Sequence, residues 1–222
     1  MNRLLVTWKN PVTRYRYEIG ELQKENNEYT FLYNNKEVEK AKKDGFQSFG
    51  EFVDLETKYI QREGGLFVSF KTRIPSRKRK DFVEFLKKFG EERDPDEVDD
   101  FEILKLTRGA LATDTIEVFE DIDFSKKEFE TFLVGVRHYI NEETYLKQDM
   151  TVGLALEDNN SEDKNAIYLV NEKEQKLGYI PRIYSENIRK WLAGKKYKVE
   201  IVKLLKFGRI RVEIKIKLKR NN

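Results

Sequence analysis

"RIRVEIKIKLKR", residues 209–220, alternates along its length: Ile210, Val212, Ile214, Ile216 and Leu218 fall on one side, Arg211, Glu213, Lys215, Lys217 and Lys219 on the other. Successive side chains of a strand point to opposite faces, so the stretch reads as a strand with one dry and one largely basic face. A strand of that kind needs a sheet to bury its dry side, and the preceding residues supply it. A second long strand precedes the turn "KFGR", and "ETFLVGVRHY", "TVGLALE", "AIYLV" and "KLGYIP" read as four more, the last ending at Pro181. A helix, "YSENIRKWLAG", lies between these and the final pair, with Ser185 as its candidate cap and Gly194 as its stop.

The first half mixes strands and helices. "RLLVTW", "RYRYEIGEL" and "EYTFLY" read as strands, "KEVEKAKKDG" and "DFVEFLKKFG" as short helices closed by glycine, and "DPDEVDDFEILKLTRG" as a third helix capped by Asp94. The predicted fold class is α+β: an amino-terminal α+β domain with a small sheet and helices over residues 1–124, and a strand-rich domain with one or two helices over 125–222.

Composition excludes several classes of function. The chain has 222 residues, 39% hydrophobic and 37% charged, with 15 Phe, 11 Tyr and 2 Trp, enough large groups for a packed core. With no cysteine and one histidine, neither disulfides nor the usual zinc ligand sets can form, so no metal and no cofactor is assigned. A carboxylate-held magnesium is the one metal chemistry that composition leaves open. No long apolar run or leader pattern is present, so no membrane partner and a cytoplasmic location are expected. Nor does the sequence carry a Gly-x-Ser-x-Gly, a His-Glu-x-x-His, a kinase catalytic loop or a phosphate-binding glycine loop, and no enzyme is expected.

Charge is uneven along the chain. Residues 91–123 hold 13 acidic and 3 basic side chains, whereas residues 195–222 hold 11 basic and 2 acidic. A basic face attracts phosphates or acidic protein surfaces, and the acidic segment repels the same partners. "KTRIPSRKRK", residues 71–80, has six basic residues and no acid, and reads equally as a phosphate-binding or a solvated loop.

Four segments in order, "FLVGVRHY" (132–139), "LALEDNNSEDKNAIYL" (154–169), "KLGYIPR" (176–182) and "LLKFGRIRV" (204–212), resemble the successive motifs of the HIRAN domain. That resemblance implies a small β-barrel related to the OB-fold that binds single-stranded DNA at a free 3′-hydroxyl end. By the same resemblance Asp163 is the acceptor for the terminal hydroxyl, Arg137 a phosphate ligand and Phe207 an aromatic contact to a base. His138, Tyr139, Lys164, Tyr179 and Arg182 complete the nucleic-acid-binding set. His138 and Glu162 depart from the tyrosines of the end-binding member, and Glu162 adds a negative charge beside the pocket.

Each side chain also has a plainer reading. Asp163 with Asn165 can form a turn feeding the next strand, Tyr179 can be core, and Arg137 and Tyr139 would share one face of a strand with His138 on the other. "IGEL", "LFVSFKTRIPSRKRKDFVEFLKKFG", "DDFEILKLTRGALATDT" and "IEVF" are similar in order to the amino-terminal domain of HipA-like toxin kinases. This second resemblance implies an adaptor of a toxin–antitoxin or phage-defence system, with a HipA-like kinase or a helicase or nuclease component as protein partner.

Overall fold

The structure, a computed structural model, describes residues 2–141, 144–207 and 211–220; the side chains of 206, 207, 211–213 and 215 are outside that description. The chain divides into two compact units, residues 1–121 and 122–222.

The first unit is built on a five-stranded antiparallel sheet of order β4-β3-β2-β1-β5, from β1 (Asn2–Lys9), β2 (Arg16–Glu25), β3 (Glu28–Tyr33), β4 (Tyr59–Gln61) and β5 (Ile116–Glu120). "IGEL" lies inside β2. Between these strands run α1 (Asn35–Lys43), α2 (Val68–Lys71), α3 (Phe82–Lys88) and α4 (Asp100–Thr107). Phe31, Phe46, Phe49, Phe52, Phe67, Phe70 and Phe101 meet in one core, while Phe82 belongs to a second, smaller cluster: the Phe31 ring centroid is 4.2 Å from that of Phe52, and Phe70 lies 5.1 Å from Phe49. Such ring pairs contribute about 0.5–1.5 kcal/mol each beyond their burial. Tyr33 sits among them with its hydroxyl donating to the Phe52 carbonyl at 2.7 Å and accepting from the Phe49 N–H at 2.8 Å. Burial pushes its pKa up to about 12.

The helix expected to start at Asp94 is in fact two elements. Asp94 caps only a 3-10 turn, Pro95–Glu97; the chain then extends through the fully buried Val98, and Asp99 caps α4 in a reciprocal box with Glu102. Two good caps five residues apart compete for one start, and burying Val98 decides in favour of the break. The basic loop is mostly consumed internally. Arg73 is buried and paired with Asp114, Arg77 bonds Asp100 and the carbonyls of Pro95 and Val98, and Arg79 pairs with Asp81.

The second unit has two three-stranded sheets. One has the order β10-β11-β6, from β6 (Glu128–Phe132), β10 (Tyr197–Phe207) and β11 (Arg211–Arg220). The other is β7-β8-β9, from β7 (Gly153–Glu157), β8 (Ala166–Val170) and β9 (Lys176–Tyr179). The expected barrel is not a continuous ladder among the described residues: isolated bridges, Val134 with Tyr179 and Thr151 with Glu200, join the sheets at two seams. The helix α5 (Arg182–Leu192) buries Tyr184, Ile188, Trp191 and Leu192, the spacing of one helical face. It starts after Pro181, so Ser185 is inside its first turns and not its cap.

The dry face of β11 is fully buried at Ile214, Ile216 and Leu218, whereas Ile210 and the Val212 side chain fall outside the described residues. The opposite face is less basic than the sequence implies. Register places Lys217 against Glu130 and Glu200, and the Glu128 carboxylate meets Lys217 at 3.0 Å and Lys219 at 3.8 Å. Acids from β6 and β10 interleave with the lysines, which sequence order along β11 alone cannot reveal.

Candidate nucleic-acid interface

The strand expected through "VGVRHY" stops at Phe132. Gly135 adopts φ 73°, and Val136–His138 form a 3-10 turn, so Arg137 and Tyr139 do not share a strand face. Two contacts fix this turn: Val136 is buried, and Val134 exchanges both backbone bonds with Tyr179 at 2.8 and 2.9 Å. The turn leaves Arg137 and His138 exposed and Tyr139 half-buried. Arg137 Nε–H donates to His138 Nε2 at 3.2 Å.

Beside Tyr139 the second sheet gathers an aromatic cluster. Cross-strand register puts Tyr168 of β8 opposite Tyr179 of β9, and the Tyr139 and Tyr179 rings meet edge to face at 5.8 Å. The Lys176 ammonium lies 4.1 Å from the Tyr168 ring centre, 4.7 Å from that of Tyr179 and 5.5 Å from that of Tyr139. It donates to the Tyr179 hydroxyl at 2.7 Å and to Glu157 Oε1 at 3.1 Å, and the Tyr179 hydroxyl donates to Glu157 Oε2 at 2.7 Å. Bonds from Asn160, Tyr179 and Lys176 pull the Glu157 carboxyl down to about 2. Burial opposes the Lys176 charge most strongly, but bonds to Tyr179 and Glu157 outweigh it and its pKa is raised. Tyr179 is thus part of a polar cluster, half-buried, and not a core side chain.

Asn160 continues this network into the polar loop. Its amide Nδ2 donates to Glu157 Oε2 at 2.6 Å, while its Oδ1 accepts from the N–H groups of Glu162 and Asp163 at 2.9 and 3.0 Å. Asp163 then does two things at once. One carboxylate oxygen accepts from the Asn165 N–H at 2.9 Å, the turn expected from its spacing, and the other accepts from the buried Ser185 hydroxyl of α5 at 2.6 Å. Arg189, also on α5, holds the far side of the loop through the carbonyls of Asn165 and Ala166, both at 2.9 Å, and pairs with Asp158. A loop bonded at both ends and along its side loses little entropy when a ligand is added.

Asp163 and Tyr179 therefore sit in one network, reached through Asn160 and Glu157, with Tyr139 packed against it. Lys164 is exposed in the loop and Arg182 is exposed in the first turn of α5. The Phe207 side chain lies outside the described residues. Sequence reasoning missed Glu157, Asn160, Tyr168, Lys176 and Ser185. Asn160 carries a local signal, since Asn often bonds backbone N–H groups two and three residues on; the others meet only through strand register and the docking of α5.

The described residues contain no cluster of three or more groups able to hold a metal ion and no helix long and apolar enough to cross a membrane. No curated protein matches the chain significantly. Among solved structures, the HIRAN domain of human HLTF is 18% identical, with 42% of this chain and 74% of that one covered and a TM-score of 0.32. A protein from Lactobacillus plantarum is 24% identical, with 41% of this chain and 92% of that one covered and a TM-score of 0.33. The family model of the HIRAN domain matches residues 126–219, the stretch that holds all four motifs and the network around Asp163.

Proposed function

We propose that the carboxy-terminal unit binds single-stranded DNA and receives a free 3′-hydroxyl end at Asp163. The observation that carries this reading is the continuous network from Ser185 through Asp163, Asn160 and Glu157 to the Tyr139, Tyr168 and Tyr179 cluster. It joins a carboxylate acceptor to aromatic groups on a rigid frame, with the exposed Arg137 two residues before Tyr139. Each chemistry has a part in holding an end: base faces stack on aromatic rings, phosphates take guanidinium donors, and a terminal hydroxyl donates to a carboxylate. Carboxylate oxygens have more lone pairs than the two bonds Asp163 already accepts, so a further donor is accommodated. No catalytic step is part of this reading.

Titration of the protein with one oligonucleotide carrying either a 3′-hydroxyl or a 3′-phosphate tests it. The hydroxyl end is expected to bind more tightly, because a phosphate and the Asp163 carboxylate repel each other in a partly desolvated site. Binding of both ends with equal affinity overturns end recognition, and failure to bind any single strand overturns the whole reading.

The first unit fits a different role. Its loop arginines at 73, 77 and 79 are committed to internal partners, and the unit holds 22 basic and 25 acidic residues, which favours contact with a protein over contact with DNA. The HipA-like resemblance makes a kinase or a helicase or nuclease component the partner to look for, by co-purification with the intact chain.

A further inference from the structure

We propose that Lys176 is a phosphate contact of the single strand, held in position by Glu157 and the three surrounding tyrosines until it exchanges its carboxylate partner for a phosphate. This rests on the single-strand reading and adds to it a residue, the first of "KLGYIPR", to which the resemblance gives no role.

An ammonium group has three N–H donors, and two of those of Lys176 are met, by Tyr179 and Glu157. The third is left to the faces of the rings, above all Tyr168 at 4.1 Å, which attract the charge without accepting as an oxygen does. The side chain is 25% exposed.

What makes an exchange inexpensive is the state in which it leaves Glu157. When Lys176 turns to a phosphate, the carboxylate keeps the Asn160 amide at 2.6 Å and the Tyr179 hydroxyl at 2.7 Å, so no charge is orphaned. The tyrosine faces stay against the ammonium over a range of positions, because attraction to a ring face is weakly directional compared with a hydrogen bond. Asn160 also bonds the Asp163 N–H, which places this cation in the same network as the proposed end acceptor.

The alternative is that Lys176 only glues β7 to β9, and the two roles part on salt dependence. Anisotropy titrations of the intact chain with a labelled oligothymidylate and with a mixed-sequence strand, over a range of salt concentrations, give the slope of log K against log salt. Lys176→Met keeps the stem and removes the charge. It is expected to weaken both strands equally and reduce the slope by about 0.7, the loss of one phosphate contact on a single strand, while Lys176→Arg restores the slope. Glu157→Gln, which frees Lys176 from its competing carboxylate, is expected to raise affinity.

A Lys176→Met protein that binds with the wild-type slope overturns the proposal, as does a loss of affinity in Glu157→Gln parallel to that in Lys176→Met, since both are the signature of glue. These outcomes are distinct from failure of the single-strand reading, in which the unaltered protein binds neither strand.

Discussion

Asp163 illustrates how one side chain can satisfy two readings. Its turn with Asn165 was legible in the sequence because turn chemistry is local, whereas its bond to Ser185 joins residues 22 apart and depends on where α5 docks. Replacement by Asn is expected to be mild. The Ser185 hydroxyl can turn to donate to the Arg182 carbonyl, 2.8 Å away, and accept from the new amide, so the loss should stay within about 1.5 kcal/mol. Replacement by Ala removes both acceptors and should cost more, about 1.5–3 kcal/mol, the range for bonds to a charged group. Urea unfolding midpoints of the two variants check the order. Asp163→Asn should also narrow the preference for a 3′-hydroxyl over a 3′-phosphate, with the fold intact. Glu157 gives a pH signature. Its carboxyl is depressed from 4.5 to about 2, so its hold on Lys176 and Tyr179 is complete above pH 4.5 and is lost as pH falls toward 2. An NMR titration of the Glu157 side-chain carbon should show a midpoint well below those of exposed glutamates; a midpoint near 4.5 would remove the bonds proposed here for it.

At the scale of elements, alternation and the glycines that close helices were readable, and the interruptions were not. The strand pattern "ETFLVGVRHY" ran on in sequence past Gly135, although the backbone turns there. An isolated glycine in a strand pattern marks such a bend, and here the partner that demands it is β9. Gly178 answers from the other side of the seam. Its φ is 152°, and a Cβ built on it would lie 2.8 Å from the Val134 carbonyl oxygen, the group that accepts from Tyr179. Gly178→Ala is therefore expected to destabilise by more than about 1 kcal/mol and to displace Tyr139 and Tyr179 together, visible as loss of near-ultraviolet dichroism and weaker DNA binding. The acidic run from 94 to 102 teaches the complementary lesson. Asp94 reads as the cap of a single helix, but burial of Val98 breaks that helix and leaves Asp99 to cap α4. Asp99→Ala, which removes the cap and the partner of Lys24, should lower stability by about 0.5–2 kcal/mol, measurable by thermal unfolding.

On the scale of the whole molecule the net charge of +3 is the sum of unlike halves: residues 1–121 hold 22 basic and 25 acidic side chains, residues 122–222 hold 21 and 15. That division was legible as a charge gradient, but its consequence was not. The strand face that looked most basic is laced with Glu128, Glu130 and Glu200, so the excess of cations is not a bare sheet face, and the proposed binding would rest on individual placements such as Arg137, Lys164 and Lys176. The second unit also owns a complete core. Ile167, Leu169, Leu177, Ile188, Val199, Ile201, Ile214, Ile216 and Leu218 are all at most 1% exposed, and Trp191 packs on Phe129 at 4.9 Å while its indole N–H donates to the Lys126 carbonyl at 3.0 Å. A unit of about 100 residues with its own core can fold alone. Residues 122–222 by themselves are therefore expected to unfold in one cooperative transition and to bind single strands with the salt slope of the intact chain. Two results would refute this allocation: no cooperative transition in the isolated unit, which would make its core dependent on residues 1–121, or a shallower slope, which would mean that cations of the first unit also meet the strand.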